Sequence, residues 1–396
     1  MKALLLLIII VLVLLVLLIA ESVIIGRRLK RIPLRITVSG TRGKTWVTRA
    51  LASVLRESGM SVLAKTTGSE AALILPGGEE VAIKRRGMVS ITEQKRTVAR
   101  AVKEKAECLI TEVMSIREEN RRVESAMLIK PHITIFTNFR ADHLDAFGES
   151  HEEIVKQFCS DIFPRSELIV NEEEVTATLT MEAEKRGACI TISAAGPEGL
   201  PAESAKLHRF IPEENVRLVY CAARKMGISD DVIVRGITSM KYDIGETAIY
   251  RINNKGKEIL FVNSFAANEP LSTSIMIERV IRECALENYA IAGLLALRDD
   301  RAERTWQWCR YLSDNGKERF SQLFVTGHQR RIVNRKVRGA IAIAGDSPVE
   351  ITNRIMDMCS DRTVVFGLAN IGGTGSKLVE YWKLRYPVSG IRSSDF

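Results

Sequence analysis

The sequence predicts an α/β protein. Its expected parts are an N-terminal transmembrane helix, a doubly wound, largely parallel sheet, and a smaller second α/β domain. Three observations carry this expectation. Ala3 to Ala20 is unbroken apolar sequence, long enough to cross a hydrocarbon layer. From Leu34 onward, apolar β-type runs alternate with helical patterns, as strand–helix–strand units do. Past a domain boundary placed near residues 242–257, a second series of the same kind begins. The expected domains are 1–26, an anchor; 27–250, a nucleotide-binding domain; and 251–396, a C-terminal α/β domain.

The apolar run continues past Glu21-Ser22 as VIIG. Secretory leaders have shorter apolar cores and a small-residue cleavage site, and no convincing A-x-A follows here, so the segment reads as a retained anchor. One lysine precedes it, and Arg27, Arg28, Lys30, Arg31 and Arg35 follow. That asymmetry places the downstream domains in the cytoplasm, with the chain held at the cell membrane. In the first series, RITV leads into SGTRGKT. A helical pattern over 45–59 ends at Gly59, and another over 92–106 starts from Thr92 as cap. Strands are expected at 108–114, 133–139 and 167–171, a loop at 193–204, and two helices joined around Gly227 over 214–240. In the second series the strand candidates are 258–265, 288–297, 319–327, 339–345 and 362–373.

The formal net charge of +9 has no long basic run and few aromatics beside it, so nucleic acid is not an expected partner. A basic balance suits anionic substrates and anionic lipid instead. The seven cysteines are scattered, with no C-x-x-C pair, and read as reduced, mostly buried thiols.

Ser39-Gly40-Thr41-Arg42-Gly43-Lys44-Thr45 lies between a strand and a helix. Glycines let backbone N–H groups approach phosphate oxygens, and the helix start adds its own N–H groups and dipole. Lys44 would neutralise the β/γ-phosphates of ATP and Thr45 would offer its hydroxyl to Mg²⁺. The pattern departs from G-x-x-x-x-G-K-[ST] at one position: Val38 stands where the first glycine would. Glu112 lies inside the strand-like run CLITEVMSI. There it either faces solvent or offers a carboxylate to Mg²⁺, a hard cation that prefers oxygen.

The compact loop G-T-x-G-K-[ST] resembles that of the Mur ligases and folylpolyglutamate synthases. The series SGTRGKT, AKTTGSEA (64–71), TEQK (92–95), TEVMSI (111–116), NFRADHLDAFG (138–148), FVNSFAANEPLST (261–273), LRDDRAERT (297–305) and FGLANIGG (366–373) is similar, within that superfamily, to the catalytic subunits of bacterial poly-γ-glutamate synthases. The resemblance spans nearly the whole chain. It implies a Mur-ligase-type central ATPase domain, a Rossmann-like C-terminal domain, and an anchor in place of the uridine-nucleotide domain that begins true Mur ligases. It also implies ATP and Mg²⁺ as cofactors, glutamate and growing poly-γ-glutamate as substrates, and small integral-membrane subunits as partners.

By the same resemblance, Glu112 and His143 join Thr45 on metal, and Asp142 and Asp145 orient the site. Thr67 and Asn138 fall on the substrate side with Asp142. In the second half, Asn268 becomes an adenosine-side or phosphate contact, Asp299 a ribose or metal-side partner, and Arg301 a cation for the acyl-phosphate charge. Arg304 reads as an exposed loop residue, and Lys156, near where relatives carry a carbamylated lysine, as solvated. A proline–glycine–arginine junction is reduced here to Gly245. The chemistry implied is amide formation through an acyl phosphate, with Lys44, Glu112, His143 and Arg301 as its catalytic groups. The alternatives are the same chemistry on a folate or wall-peptide acceptor, or a membrane-tethered P-loop ATPase or kinase that regulates capsule assembly.

Overall fold

The computed structural model describes residues 2–68, 71–85, 90–140, 150–193, 212–241, 243–254, 256–314, 316–345 and 347–386. They divide into a first unit reaching to Lys241 and a second holding the described residues from Asp243 onward.

Helix α1, Lys2–Leu29, is long and apolar enough to cross a membrane, and its apolar window is wholly exposed. Its last turn behaves differently. Ile25, Leu29 and Ile32 are buried with Leu63, Val98, Leu109 and Ile129 in one cluster. Arg35 closes this joint: Nη1 donates to the carbonyls of Leu29 (3.0 Å) and Ile32 (2.9 Å), and Nε to those of Ile129 and Lys130 (3.0 Å each). One of the five basic residues behind the anchor is thus spent on capping carbonyls.

Strands β1 (Leu34–Ser39), β2 (Val62–Thr66), β3 (Ala72–Ile74), β4 (Glu80–Ala82), β5 (Cys108–Glu112), β6 (Ile133–Phe136), β7 (Glu167–Asn171) and β8 (Cys189–Ser193) form one sheet, in the order β4-β3-β2-β5-β1-β6-β7-β8. The pairs are parallel from β2 through β8 and antiparallel at β2–β3 and β3–β4. Alternation along the strands sends Val62, Ala64, Cys108 and Ile110 to one core, and Leu63 and Leu109 to the other. Helices α2 (Lys44–Glu57), α7 (Glu213–Lys225) and α8 (Asp230–Thr238) pack into the first core, and α3 (Glu93–Lys103) packs with the end of α1 into the second. Short α4 (Glu118–Arg122) runs into a π-helix, Val123–Ile129. Helices α5 (His151–Phe158) and α6 (Ala177–Lys185) cover β6 and β7 through Phe136, Phe158, Leu168 and Leu179.

The second unit has a six-stranded sheet, β13-β12-β11-β14-β10-β9. Its strands are β9 (Ile249–Asn254), β10 (Lys257–Val262), β11 (Ala290–Leu297), β12 (Gln322–Gly327), β13 (Ala340–Ala342) and β14 (Arg362–Ala369), parallel except for β9 against β10. Helices α9 (Pro270–Glu283), α10 (Ala302–Ser313) and α11 (Arg330–Lys336) serve one core, and α12 (Pro348–Met358) and α13 (Thr374–Arg385) the other.

Strands β2, β3, β4 and β8 and the π-helix were not expected from the sequence, nor was β9, which falls where the domain boundary was placed. Thr92 also differs from its expected role: it is helical in backbone, its side chain makes no cap bond to α3, and its hydroxyl meets Ser90 Oγ at 2.9 Å.

Candidate active site

Parallel pairing sets the register of the site. Val38 lies opposite Glu112, Lys65 opposite Thr111, and Ser39 opposite Phe136. The phosphate loop, Thr67, Glu112 and Asn138 therefore leave neighbouring strands at the carboxyl edge of one sheet, where ligands collect in open α/β folds.

The loop is fixed by its neighbours. Gly40 has φ of 121°, and a Cβ there would meet Thr137 Oγ1 at 2.2 Å. Gly43, φ 86°, is the N-cap of α2, and a Cβ would meet the Asn215 side chain at 2.5 Å. Both glycines are required by backbone conformation and by close approach. Asn138 braces the loop: its Oδ1 accepts from Thr41 Oγ1 (2.6 Å) and the Arg42 N–H (3.2 Å), and its Nδ2 donates to the Arg42 carbonyl (3.1 Å). The Lys44 ammonium lies over the loop, donating to the carbonyls of Gly40 (2.6 Å) and Thr41 (3.2 Å).

Glu112 is 1% exposed. Its Oε2 accepts from Thr67 Oγ1 at 2.7 Å, and its Oε1 is buried with no hydrogen-bond partner among the described residues. Burial pushes this carboxyl above the usual carboxylate range, opposed by hydrogen bonding from Thr67, the Lys44 charge and the Thr45 hydroxyl. Thr45 is close by: a Cβ on Gly68 would meet its Oγ1 at 2.4 Å. Lys44, Thr45, Thr67 and Glu112 thus form one cluster. A buried carboxylate oxygen without a protein donor, beside a threonine hydroxyl at a phosphate loop, is the hard-oxygen donor set a Mg²⁺-like cation takes when phosphates and water complete its shell. No group of three or more His, Cys, Asp or Glu among the described residues could hold a metal by itself. Asp142, His143 and Asp145 lie outside the described residues. Lys156 is exposed on α5.

In the second unit, Asn268 has φ of 58°, and its carbonyl accepts from Trp308 Nε1 at 2.8 Å. Arg304 is not an exposed loop residue. It is half-buried on α10, and Nη1 donates to Oδ1 of Asn268 (3.1 Å) and of Asn370 (2.8 Å). Helical spacing from Trp308, which is buried, was the signal that places it. Asp299 and Arg301 are exposed; the Asp299 carboxylate accepts from the Asp300 N–H at 3.0 Å. Asn263 donates from Nδ2 to the carbonyls of Ile244 (2.7 Å) and Glu246 (2.8 Å), holding the segment around Gly245.

A loop so placed on a parallel sheet, with a second α/β unit following in the chain, is the layout of a Mur-type P-loop ligase, and residues 38–226 match the Mur ligase middle domain. In the second unit the similarity is to the poly-γ-glutamate synthases: residues 249–385 match the poly-gamma-glutamate synthase CapB C-terminal domain. The capsule biosynthesis protein CapB of Bacillus anthracis is 29% identical over 89% of this chain and 77% of its own length. The PGA synthase CapB of Bacillus subtilis is 27% identical over 89% of this chain and 91% of its own. In fold, the chain is similar to the bifunctional folylpolyglutamate synthase/dihydrofolate synthase of Yersinia pestis complexed with AMPPNP and Mn ion. The TM-score is 0.66 at 14% identity, over 91% of this chain and 93% of that one.

Proposed function

We propose that this chain is an ATP-dependent amide ligase that polymerises glutamate into poly-γ-glutamate. The observation that carries the reading is the Lys44–Thr45–Thr67–Glu112 cluster at the phosphate loop, in a chain similar to the poly-γ-glutamate synthases. A carboxylate does not condense with an amine at neutral pH unless it is activated. The γ-phosphoryl group of ATP passes to the side-chain carboxylate of glutamate, giving an acyl phosphate and ADP. The amine of the next glutamate attacks that carbonyl and phosphate leaves.

The protein's part is positioning and charge. Backbone N–H groups of residues 43–45 cradle the phosphates, and Lys44 turns from its own loop's carbonyls to the β/γ-oxygens. Thr45 and Glu112 hold the divalent cation, which we take to be Mg²⁺; when bound it offsets charge on the phosphate oxygens. Asn138 keeps the loop in shape. Arg301 and Asp299 are exposed and available to a nucleotide or acyl phosphate, and Asn268 is presented by Arg304. His143 and Asp142 are further candidates for the metal and the substrate. Support for a divalent cation with ATP comes from the AMPPNP and Mn ion of the Yersinia pestis enzyme. Helix α1 anchors the chain in the cell membrane with both units on the cytoplasmic side, where a growing polyanion is passed to integral-membrane partner subunits.

The test is product identity. Membranes carrying the chain with its partner subunits are given ATP, Mg²⁺ and glutamate. The expected result is glutamate-dependent ADP release and a mass-spectrometric ladder spaced by glutamyl residues. ADP release indifferent to glutamate, or label appearing only on a folate or wall peptide, overturns the reading.

A further inference from the structure

Residues 93–95 open α3, and each of the three side chains holds a different element. The Glu93 carboxylate meets the ammonium of buried Lys65 on β2 at 3.3 Å. Gln94, fully buried, donates from Nε2 to the backbone carbonyl of Glu112 (3.3 Å) and to Oε1 of Glu124 (2.5 Å). Lys95 pairs with Glu21 of α1 at 2.6 Å.

Glu124, 1% exposed, stands in the first turn of the π-helix. Besides Gln94, its carboxylate accepts from the Met114 N–H (3.1 Å), the Ser115 N–H (3.1 Å) and Ser115 Oγ (2.7 Å). These contacts lie where β5 leaves the sheet. The Val113 N–H still bonds the Val38 carbonyl at 2.9 Å, but the next two N–H groups have no strand to pair with. Buried amides need an acceptor, and one carboxylate supplies it to both. The backbone is therefore gripped as it leaves Glu112, by Gln94 at the Glu112 carbonyl and by Glu124 at the two amides beyond Val113. A gripped backbone, with Thr67 on Oε2, leaves the carboxylate little freedom to turn, and Oε1 has no donor among the described residues.

We propose that Gln94 and Glu124 are positioning residues that hold Glu112 in the orientation in which it takes the divalent cation accompanying the nucleotide. This rests on the metal role given to Glu112 above. Both side chains are buried, and they act through the backbone at Glu112 and just beyond it, as outer-shell partners orient a metal ligand.

The experiment compares the full chain in membranes with Glu112→Gln, Gln94→Met and Ser115→Ala. Gln94→Met keeps the bulk and removes both donated bonds. Ser115→Ala removes one of the four donors to Glu124 and serves if Gln94→Met does not fold. Mn²⁺ binding in the presence of AMPPNP is measured by electron paramagnetic resonance, beside the KM for glutamate. Gln94→Met is expected to weaken Mn²⁺ binding about 10- to 100-fold, the range for outer-shell losses, with the glutamate KM unmoved. Ser115→Ala shifts Mn²⁺ binding in the same direction by a smaller factor. If Glu112→Gln weakens Mn²⁺ binding and the folded Gln94→Met and Ser115→Ala proteins bind it as wild type, the pair is merely structural and the proposal is overturned. If Glu112→Gln itself binds Mn²⁺ as wild type, the metal role of Glu112 is what fails, and the positioning role falls with it.

Discussion

The Thr67 hydroxyl donates to Oε2 of Glu112 at 2.7 Å, and Oε1, also buried, has no hydrogen-bond partner among the described residues. The contact separates two roles for Thr67. As a brace for a metal carboxylate, its loss should alter the response to Mg²⁺; as a substrate contact, its loss should alter the response to glutamate. Thr67→Val keeps the shape and removes the donor. The expected outcome is a rise of roughly tenfold in half-saturating Mg²⁺, the low end for an outer-shell loss, at unchanged glutamate KM. Initial rates of ADP release across Mg²⁺ and glutamate titrations check it. A raised glutamate KM with an unmoved Mg²⁺ curve would return Thr67 to the substrate.

Asn138 spans the phosphate loop by accepting from Thr41 and Arg42 and donating to the Arg42 carbonyl. Asn138→Ala removes three hydrogen bonds worth about 0.5–1.5 kcal/mol each, so the loop loses its resting shape. The KM for ATP is expected to rise about tenfold or more, with glutamate KM constant. Equilibrium binding of a fluorescent ATP analogue gives an independent reading. Unchanged ATP affinity with a raised glutamate KM would assign Asn138 to the substrate side.

Much of this was legible in the sequence. The strand–loop–helix at 34–57 and the parallel strands at 108, 133 and 167 are apolar runs with ordinary periodicity. What stayed hidden has physical causes. Strand β2 reads VLAKT, and its pattern is broken by Lys65, a lysine buried because Glu93 arrives from a distant helix. The expected strand 108–114 stops short because the amides of Met114 and Ser115 turn to Glu124, some ten residues on and in a π-helix no periodicity announces. Arg304 looked like a loop charge because its two partners, Asn268 and Asn370, lie far apart in the chain. Pairings between distant polar residues leave no local pattern, and polar residues of this kind line the site.

The cysteines give a test of burial. Cys189 is exposed and Cys221 half-buried; the other five are buried. Burial pushes the Cys359 thiol up to about 11 and the Cys159 thiol up to about 12, so at pH 8 almost none of either is thiolate, the form that reacts. A thiol reagent at pH 8 should label Cys189 quickly, Cys221 slowly, and the remaining five only after denaturation. Raising the pH toward 10 should still leave Cys159 and Cys359 slow in the native protein. Peptide mapping after a timed pulse checks the order. Early labelling of Cys159 or Cys359 would mean that their cores open readily.

The anchor's joint to the first unit predicts where the chain can be cut. Residues 2–22 present apolar side chains outward, whereas Ile25, Leu29 and Ile32 are buried against Val98 and Leu109. Each such burial contributes about 1.5–3 kcal/mol, so losing all three removes about 5 kcal/mol or more. A domain's whole stability is about 5–15 kcal/mol. Cutting through the joint also takes from Arg35 the carbonyls of Leu29 and Ile32, and with them half of its grip between the anchor and the end of the π-helix. A chain lacking residues 2–22 should therefore melt close to the full-length protein and still bind AMPPNP. A chain lacking residues 2–32 should melt far lower or fail to fold. Thermal unfolding of the two, followed by circular dichroism, decides the matter. Equal melting temperatures would show that the last turn of α1 contributes nothing to the core it enters.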